Sequence, residues 1–147
     1  MPKQVTVTEA LDLQKQGHAY VDVRSTGEFA AGHPEGAINI PLLEPDPRTG
    51  QMQPNPEFLR HMQTTFAADA PLLIGCQVGG RSQRAAVMLK GLGYTDVANV
   101  RGGFGGLRDA MGRVVDPGWA DSGLPVETGQ PAGRSYADVV AKADGSS

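Results

Sequence analysis

One cysteine, Cys76, is all that 147 residues contain. A lone thiol excludes an internal disulfide, a CxxC redox pair and a metal site built from several cysteines. Aromatic residues are scarce at 5 %, and neither sign of charge dominates, with 13 basic against 16 acidic side chains and a net charge of −3. At a pI near 5.5 the chain lacks the basic face that a nucleic-acid binder turns to phosphates. No apolar run approaches the roughly 18 residues that span a bilayer. The opening Met1-Pro2-Lys3-Gln4-Val5-Thr6 has no apolar stretch of the secretory kind. A cytoplasmic protein without nucleic-acid or membrane partners is the expectation. The three histidines, His18, His33 and His61, have no metal-like spacing, so neither a metal nor another cofactor is expected. What remains is a chain of globular composition, 39 % apolar, long enough for one domain that buries roughly two thirds of its unfolded surface.

Charge is unevenly placed. Residues 1–75 carry 5 basic and 9 acidic side chains and residues 116–147 carry 2 and 5. Between them Arg81, Arg84, Lys90, Arg101, Arg108 and Arg113 face only Asp96 and Asp109. The cysteine therefore opens the one net-positive stretch. Its arginines either cover a solvated face or draw anions toward the thiol.

Local signals alternate between helix and strand. Thr6-x-x-Glu9 reads as a capping box before a helix that stops near Gly17. Residues 19–23 and 37–40 read as short strands, with a brief helical turn over residues 27–31 between them. Residues 43–56, with Pro45, Pro47, Pro54, Pro56 and Gly50, read as an irregular loop. A helix is predicted over residues 57–66, from the spacing of Phe58, Leu59, Met62 and Phe66. The unbroken apolar run Leu72-Leu73-Ile74 marks a strand buried on both faces. A helix over residues 82–92 and a strand over residues 97–100 follow. The alternation predicts an α/β fold of three layers, with a largely parallel central sheet of about five strands flanked by helices. The domain is expected to occupy residues 1–127. Residues 128–147, rich in Gly and Ser with one short helical stretch at 136–143, are expected to form a flexible C-terminal tail.

The chemistry concentrates at one junction. Cys76-Gln77-Val78-Gly79-Gly80-Arg81-Ser82 lies between the buried strand and the following helix, where α/β sheets place their ligands. Gly79 and Gly80 let successive backbone N–H groups turn toward one point and form an anion nest. Ser82 is suited to cap the helix, whose N-terminus adds partial positive charge. Arg81 supplies a permanent cation with a two-pronged fork. Together these favour a thiolate over a thiol. A cysteine serving only as a small buried hydrophobe would need no such loop.

Cys76-x-x-Gly79-x-Arg81-Ser82 resembles the active-site loop of the rhodanese-like sulfurtransferases. The stretch from Val21-Asp22-Val23-Arg24 through Glu28-Phe29 and Gly32-His33-Pro34-Glu35-Gly36-Ala37 to Pro41 resembles that family's N-terminal signature. Gly91-x-Gly93-Tyr94 with Gly102-Gly103 completes the pattern. The resemblance covers roughly residues 5–127 and is closest to the small single-domain members. It implies that Cys76 takes a sulfane sulfur from a small anionic donor such as thiosulfate and passes it, through a persulfide, to cyanide or to a thiol, free or carried by a protein. It implies that Gln77, Val78, Gly79, Gly80, Arg81 and Ser82 hold the sulfur and the donor. Asp22 with Arg24, and Glu28 with His33, are structural supports in that family. A monomer or homodimer needing no cofactor is expected.

Loop length bears on the alternatives. The related cell-cycle phosphatases and arsenate reductases place five residues between cysteine and arginine, and this chain places four, Gln77 to Gly80. A tighter nest suits a sulfur atom better than a tetrahedral phosphate or arsenate. Mercaptopyruvate-type loops end in Gly-Val-Thr and lack this arginine. A catalytically quiet module for sulfur delivery or protein binding is the reading from another class. The chain departs from the pattern where many members have a Trp soon after the Gly-Gly pair. Here Phe104 stands there, and Trp119 follows only after an extra stretch, residues 108–117, read as a small hairpin or surface loop.

Overall fold

The computed structural model describes residues 2–145, so Ser146 and Ser147 of the expected tail, and Met1, lie outside it. In chain order the elements are β1 (Lys3–Val5), α1 (Val7–Lys15), β2 (Ala19–Asp22), α2 (Thr26–Ala31), β3 (His33–Pro34), β4 (Ile38–Asn39), β5 (Leu43–Pro45) and β6 (Met52–Pro54). They continue as α3 (Phe58–Thr65), β7 (Leu72–Gly75), α4 (Gly80–Leu92), β8 (Val97–Val100), β9 (Leu107–Arg108), β10 (Val114–Asp116), β11 (Val126–Glu127) and α5 (Tyr136–Ala143). Five strands form one sheet in the order β1-β8-β7-β2-β4, and every pair in it is parallel. Among the described residues no helix is long and apolar enough to cross a membrane.

Period-2 alternation sorts the strand side chains between two cores. Val21, Leu72, Ile74 and Val97 join Phe58, Met62, Ala85, Ala86, Leu89 and Val139 on the face covered by α3, α4 and α5. Tyr20, Leu73, Ala98 and Val100 join Val7, Ala10, Phe29 and Trp119 on the other face, under α1 and α2. That is the three-layer arrangement the sequence predicted. All four residues of β7 are buried, because helices cover both sides of a parallel sheet.

The caps behave as their residues dictate. Thr6 accepts from the Glu9 amide while Glu9 bonds back to Thr6, and Ser25 with Glu28 repeats the device at α2. Residues 43–56 depart from expectation. They form the antiparallel ribbon β5–β6, closed by a turn in which Asp46 Oδ1 accepts the Arg48 amide at 2.7 Å. Prolines are tolerated there because a two-stranded ribbon leaves half its N–H positions facing solvent. The extra stretch is also a hairpin, β9–β10. It leaves and rejoins the fold at one point, since the Trp119 amide donates to the Gly103 carbonyl at 2.9 Å and the Ala120 amide to Phe104 at 3.1 Å. Trp119 thus lands fully buried beside Tyr20, edge to face with ring centroids 5.6 Å apart, despite its distance in sequence from the Gly-Gly pair.

Beyond Glu127, where a tail was expected, the chain is seated on the domain. Arg134 pairs with Glu127, and the Asn39 amide donates to the Arg134 carbonyl at 2.9 Å. Helix α5 packs on α3 with Val139 buried, and the Tyr136 hydroxyl lies 2.7 Å from His61 Nδ1 and accepts from Asn55 Nδ2 at 2.8 Å. Tyr136→Phe leaves both partners without that oxygen and should cost about 1–2 kcal/mol, read as a lower urea midpoint at unchanged slope. A midpoint equal to the parent's would show that the hydroxyl's bonds to His61 and Asn55 add nothing to stability.

Candidate active site

Strand β7 delivers Cys76 to the carboxyl edge of the sheet, 1 % exposed, and the chain then curls back over its sulfur before entering α4. The Gly79 amide donates to Cys76 Sγ at 3.1 Å and the Ser82 amide at 3.3 Å, with the Ser82 hydroxyl 3.2 Å away. Three polar groups therefore converge on one sulfur in a nest that the N-terminus of α4 completes. The N-cap is Gly79, at φ 117, without a side-chain cap bond. This corrects the expectation that Ser82 caps the helix. Ser82 sits in the first turn of α4, and its hydroxyl lies beside the sulfur instead. That hydroxyl also lies 2.6 Å from Asn99 Oδ1 and 3.1 Å from the Gly79 carbonyl.

Asn99 is the residue that sequence reasoning missed. It is the one polar position in β8, 4 % exposed, and it holds its Oδ1 toward Ser82 because its Nδ2 donates to Gln4 Oε1 at 2.8 Å. A buried amide in an otherwise apolar strand must find partners, and that was the available signal.

The loop is fixed from behind by residues distant in sequence. The Phe104 and Gly105 amides donate to the Cys76 and Gln77 carbonyls at 2.8 and 2.9 Å. The approach is so close that a Cβ on Gly103, whose φ is +54, would stand 2.2 Å from the Cys76 carbonyl oxygen. From the side, Arg24 ties the N-terminal segment to the loop. Its guanidinium pairs with Asp22 at 2.7 Å, donates to the Gly32 carbonyl at 2.6 Å and to Gln77 Oε1 at 3.1 Å, and lies 4.6 Å from the Phe104 ring centroid.

Arg81 does not stand free. Nη1 and Nη2 donate to Glu28 Oε1 and Oε2 at 2.7 and 3.0 Å, and Arg81, followed by the Ser25 amide, holds the Glu28 carboxyl down at about 2. His33 stacks on Phe29, and its nitrogens face the Phe29 carbonyl at 2.6 Å and Glu127 Oε1 at 3.1 Å. It lies away from the sulfur's contacts and anchors the segment after α2. Val78 is 47 % exposed and Gly80 is exposed, both on the outer rim of the loop.

Two depressions flank this rim. One of about 370 Å³ is lined by Arg24, Glu28, Gln77 and Phe104 among others. The other, about 550 Å³, is lined by Val78, Gly79 and Gly80 of the loop together with Asn99, Arg101, Leu107 and Asp116, among others. The hairpin β9–β10 thus borders the loop.

The sequence profile of the rhodanese-like domain matches residues 6–110. The chain belongs to that family. It is 37 % identical over 127 residues to "Thiosulfate sulfurtransferase 16, chloroplastic" of Arabidopsis thaliana, covering 86 % of this chain and 94 % of that one. It is 28 % identical to the thiosulfate sulfurtransferase GlpE of Haemophilus influenzae (strain PittEE), covering 86 % and 95 %. Among solved structures it is similar to that of Rv0390 from M. tuberculosis, with a TM-score of 0.71, 27 % identity, and 86 % and 98 % of the two chains covered. The fold is therefore the rhodanese fold.

Two tests follow from this geometry. Gly103→Ala should destabilise the protein by about 2 kcal/mol or more, since the methyl group overpacks against the Cys76 backbone. An unchanged urea midpoint would show that the two loops separate easily. Glu28 titrates at about 2 against an ordinary 4.5, so its ion pair stabilises the fold above pH 4.5 and that contribution drains away as pH falls toward 2. Stability should drop across that window, and less steeply in Glu28→Gln, which takes up one proton fewer on unfolding. Equal slopes for the two proteins would contradict the pairing.

Proposed function

We propose that this rhodanese-like protein is a sulfurtransferase in which Cys76 carries the sulfur. The observation that supports it best is the convergence of the Gly79 amide, the Ser82 amide and the Ser82 hydroxyl on Cys76 Sγ. In the first step the Cys76 thiolate attacks the outer sulfur of thiosulfate. A Cys76 Sγ–S bond forms, the bond to the sulfonate sulfur breaks, and sulfite leaves with its electron pair. The terminal sulfur of the persulfide is anionic, and the nest's amides stabilise it as an oxyanion hole stabilises oxygen. In the second step cyanide or an acceptor thiolate attacks that terminal sulfur. Thiocyanate or a new persulfide departs and the Cys76 thiolate returns. With one cysteine in 147 residues, no second thiol within them resolves the persulfide, so the sulfur passes to another molecule.

The names of the relatives support thiosulfate as one donor, and the four-residue spacing between Cys76 and Arg81 favours a sulfur atom over a phosphate in the nest. Intact mass after incubation with thiosulfate tests the reading. A gain of about 32 Da, one sulfur atom, is expected, removed by cyanide with release of thiocyanate and absent in Cys76→Ala. No adduct with thiosulfate, polysulfide or a glutathione persulfide would overturn sulfur transfer. Cys76-dependent hydrolysis of an aryl phosphate would replace it with phosphatase chemistry.

A further inference from the structure

The cation that closes the loop is already occupied. Arg81 offers both terminal nitrogens to the two oxygens of Glu28, at 2.7 and 3.0 Å, the parallel two-bond geometry in which a guanidinium also takes a sulfonate. A second guanidinium at this end, Arg24, is committed to Asp22, the Gly32 carbonyl and Gln77. The two ion pairs differ in one respect that matters. The side chains of Arg24 and Asp22 are 3 % and 2 % exposed, whereas those of Arg81 and Glu28 are 21 % and 34 % exposed. The first pair is sealed in the fold. The second lies within reach of a solute, and Glu28 lines the 370 Å³ depression beside Gln77.

We propose that Glu28 is a specificity-determining residue, whose carboxylate occupies in the resting protein the fork of Arg81 that a donor's oxyanion must take. The inference rests on the sulfur-transfer reading above. A donor such as thiosulfate, with an oxyanion on the sulfur next to the one transferred, displaces Glu28 before Arg81 can orient it. A donor without an oxyanion, such as inorganic polysulfide, has no use for the fork and meets no such competitor. Because Glu28 is tethered, it competes at an effective concentration on the order of millimolar or more. Position 28 thereby sets the balance between the two donor classes.

The site's second carboxylate duty is separable. Glu28 Oε1 accepts the Ser25 amide and hydroxyl at the start of α2, and a glutamine at that position keeps an oxygen for the cap. Steady-state kinetics with cyanide as acceptor should therefore compare the parent with Glu28→Gln, using thiosulfate and inorganic polysulfide as donors. The variant should lower KM for thiosulfate by roughly tenfold, the scale of one charge-assisted bond, and move that for polysulfide less than about twofold. The thiosulfate gain should vanish in Arg81→Gln/Glu28→Gln. An unmoved thiosulfate KM, or equal shifts for both donors, would overturn the proposal. If Glu28→Gln does not fold, Glu28→Asp serves instead. It keeps the charge but is too short to hold both nitrogens, and it should lower the thiosulfate KM severalfold, with no change overturning the proposal. A parent that forms no persulfide with any donor would strike the sulfur-transfer reading instead.

Discussion

The hydrogen bonds from the Phe104 and Gly105 amides to the carbonyls of Cys76 and Gln77 decide where the sulfur sits. They join the chain after β8 to the chain after β7, so the nucleophile's backbone is held by its neighbour in the sheet. Only a residue without a side chain lets these backbones meet at such a distance, and Gly103 provides it. With the carbonyls of Cys76 and Gln77 engaged behind, the loop's amides are free to point forward, and those of Gly79 and Ser82 meet at Sγ. The nest is thus a consequence of adjacent parallel strands ending at one edge.

Electrostatics at that edge is organised in pairs. Arg24 with Asp22 is buried and rigid, and it transmits its position to the loop through Gln77. Arg81 with Glu28 is partly exposed and within reach of a solute. Much of the net-positive segment around the cysteine is therefore paired charge. Three of its arginines are met by carboxylates from outside it, Arg81 by Glu28, Arg101 by Asp116 and Arg108 by Asp121, the last two at 3.9 Å. Such exposed pairs add little stability. Their effect is to leave the sulfur's own amides and hydroxyl as the groups that define its environment.

Much of this was legible beforehand, for identifiable reasons. The apolar run before Cys76, the glycines after it and the two capping boxes are local signals, and local hydrogen bonding decides those features. The sequence places Glu28 as a support of the N-terminal segment, and it does cap α2, but its pairing with Arg81 spans 53 residues. Serines before helices commonly cap, which suggests that role for Ser82, whereas α4 begins two residues earlier, at Gly80. Residues 43–56 read as irregular because prolines break interior strands, a rule that an isolated ribbon escapes. Trp119 looked displaced by the inserted stretch, yet the hairpin closes on itself and returns it to the core.

The sequence by itself determined the layer order, the parallel sheet and the position of the thiol at a strand-to-helix junction, since periodicity, caps and glycines act over a few residues. Only the tertiary structure decided what the thiol and the arginine touch. Asn99 behind Ser82, the Phe104 amide on the Cys76 carbonyl and Glu28 on Arg81 are all long-range pairings, set by which strands lie side by side and where their ends converge. Nothing in the spacing of residues along a chain encodes that a cation at position 81 will find its partner at position 28 rather than in a ligand.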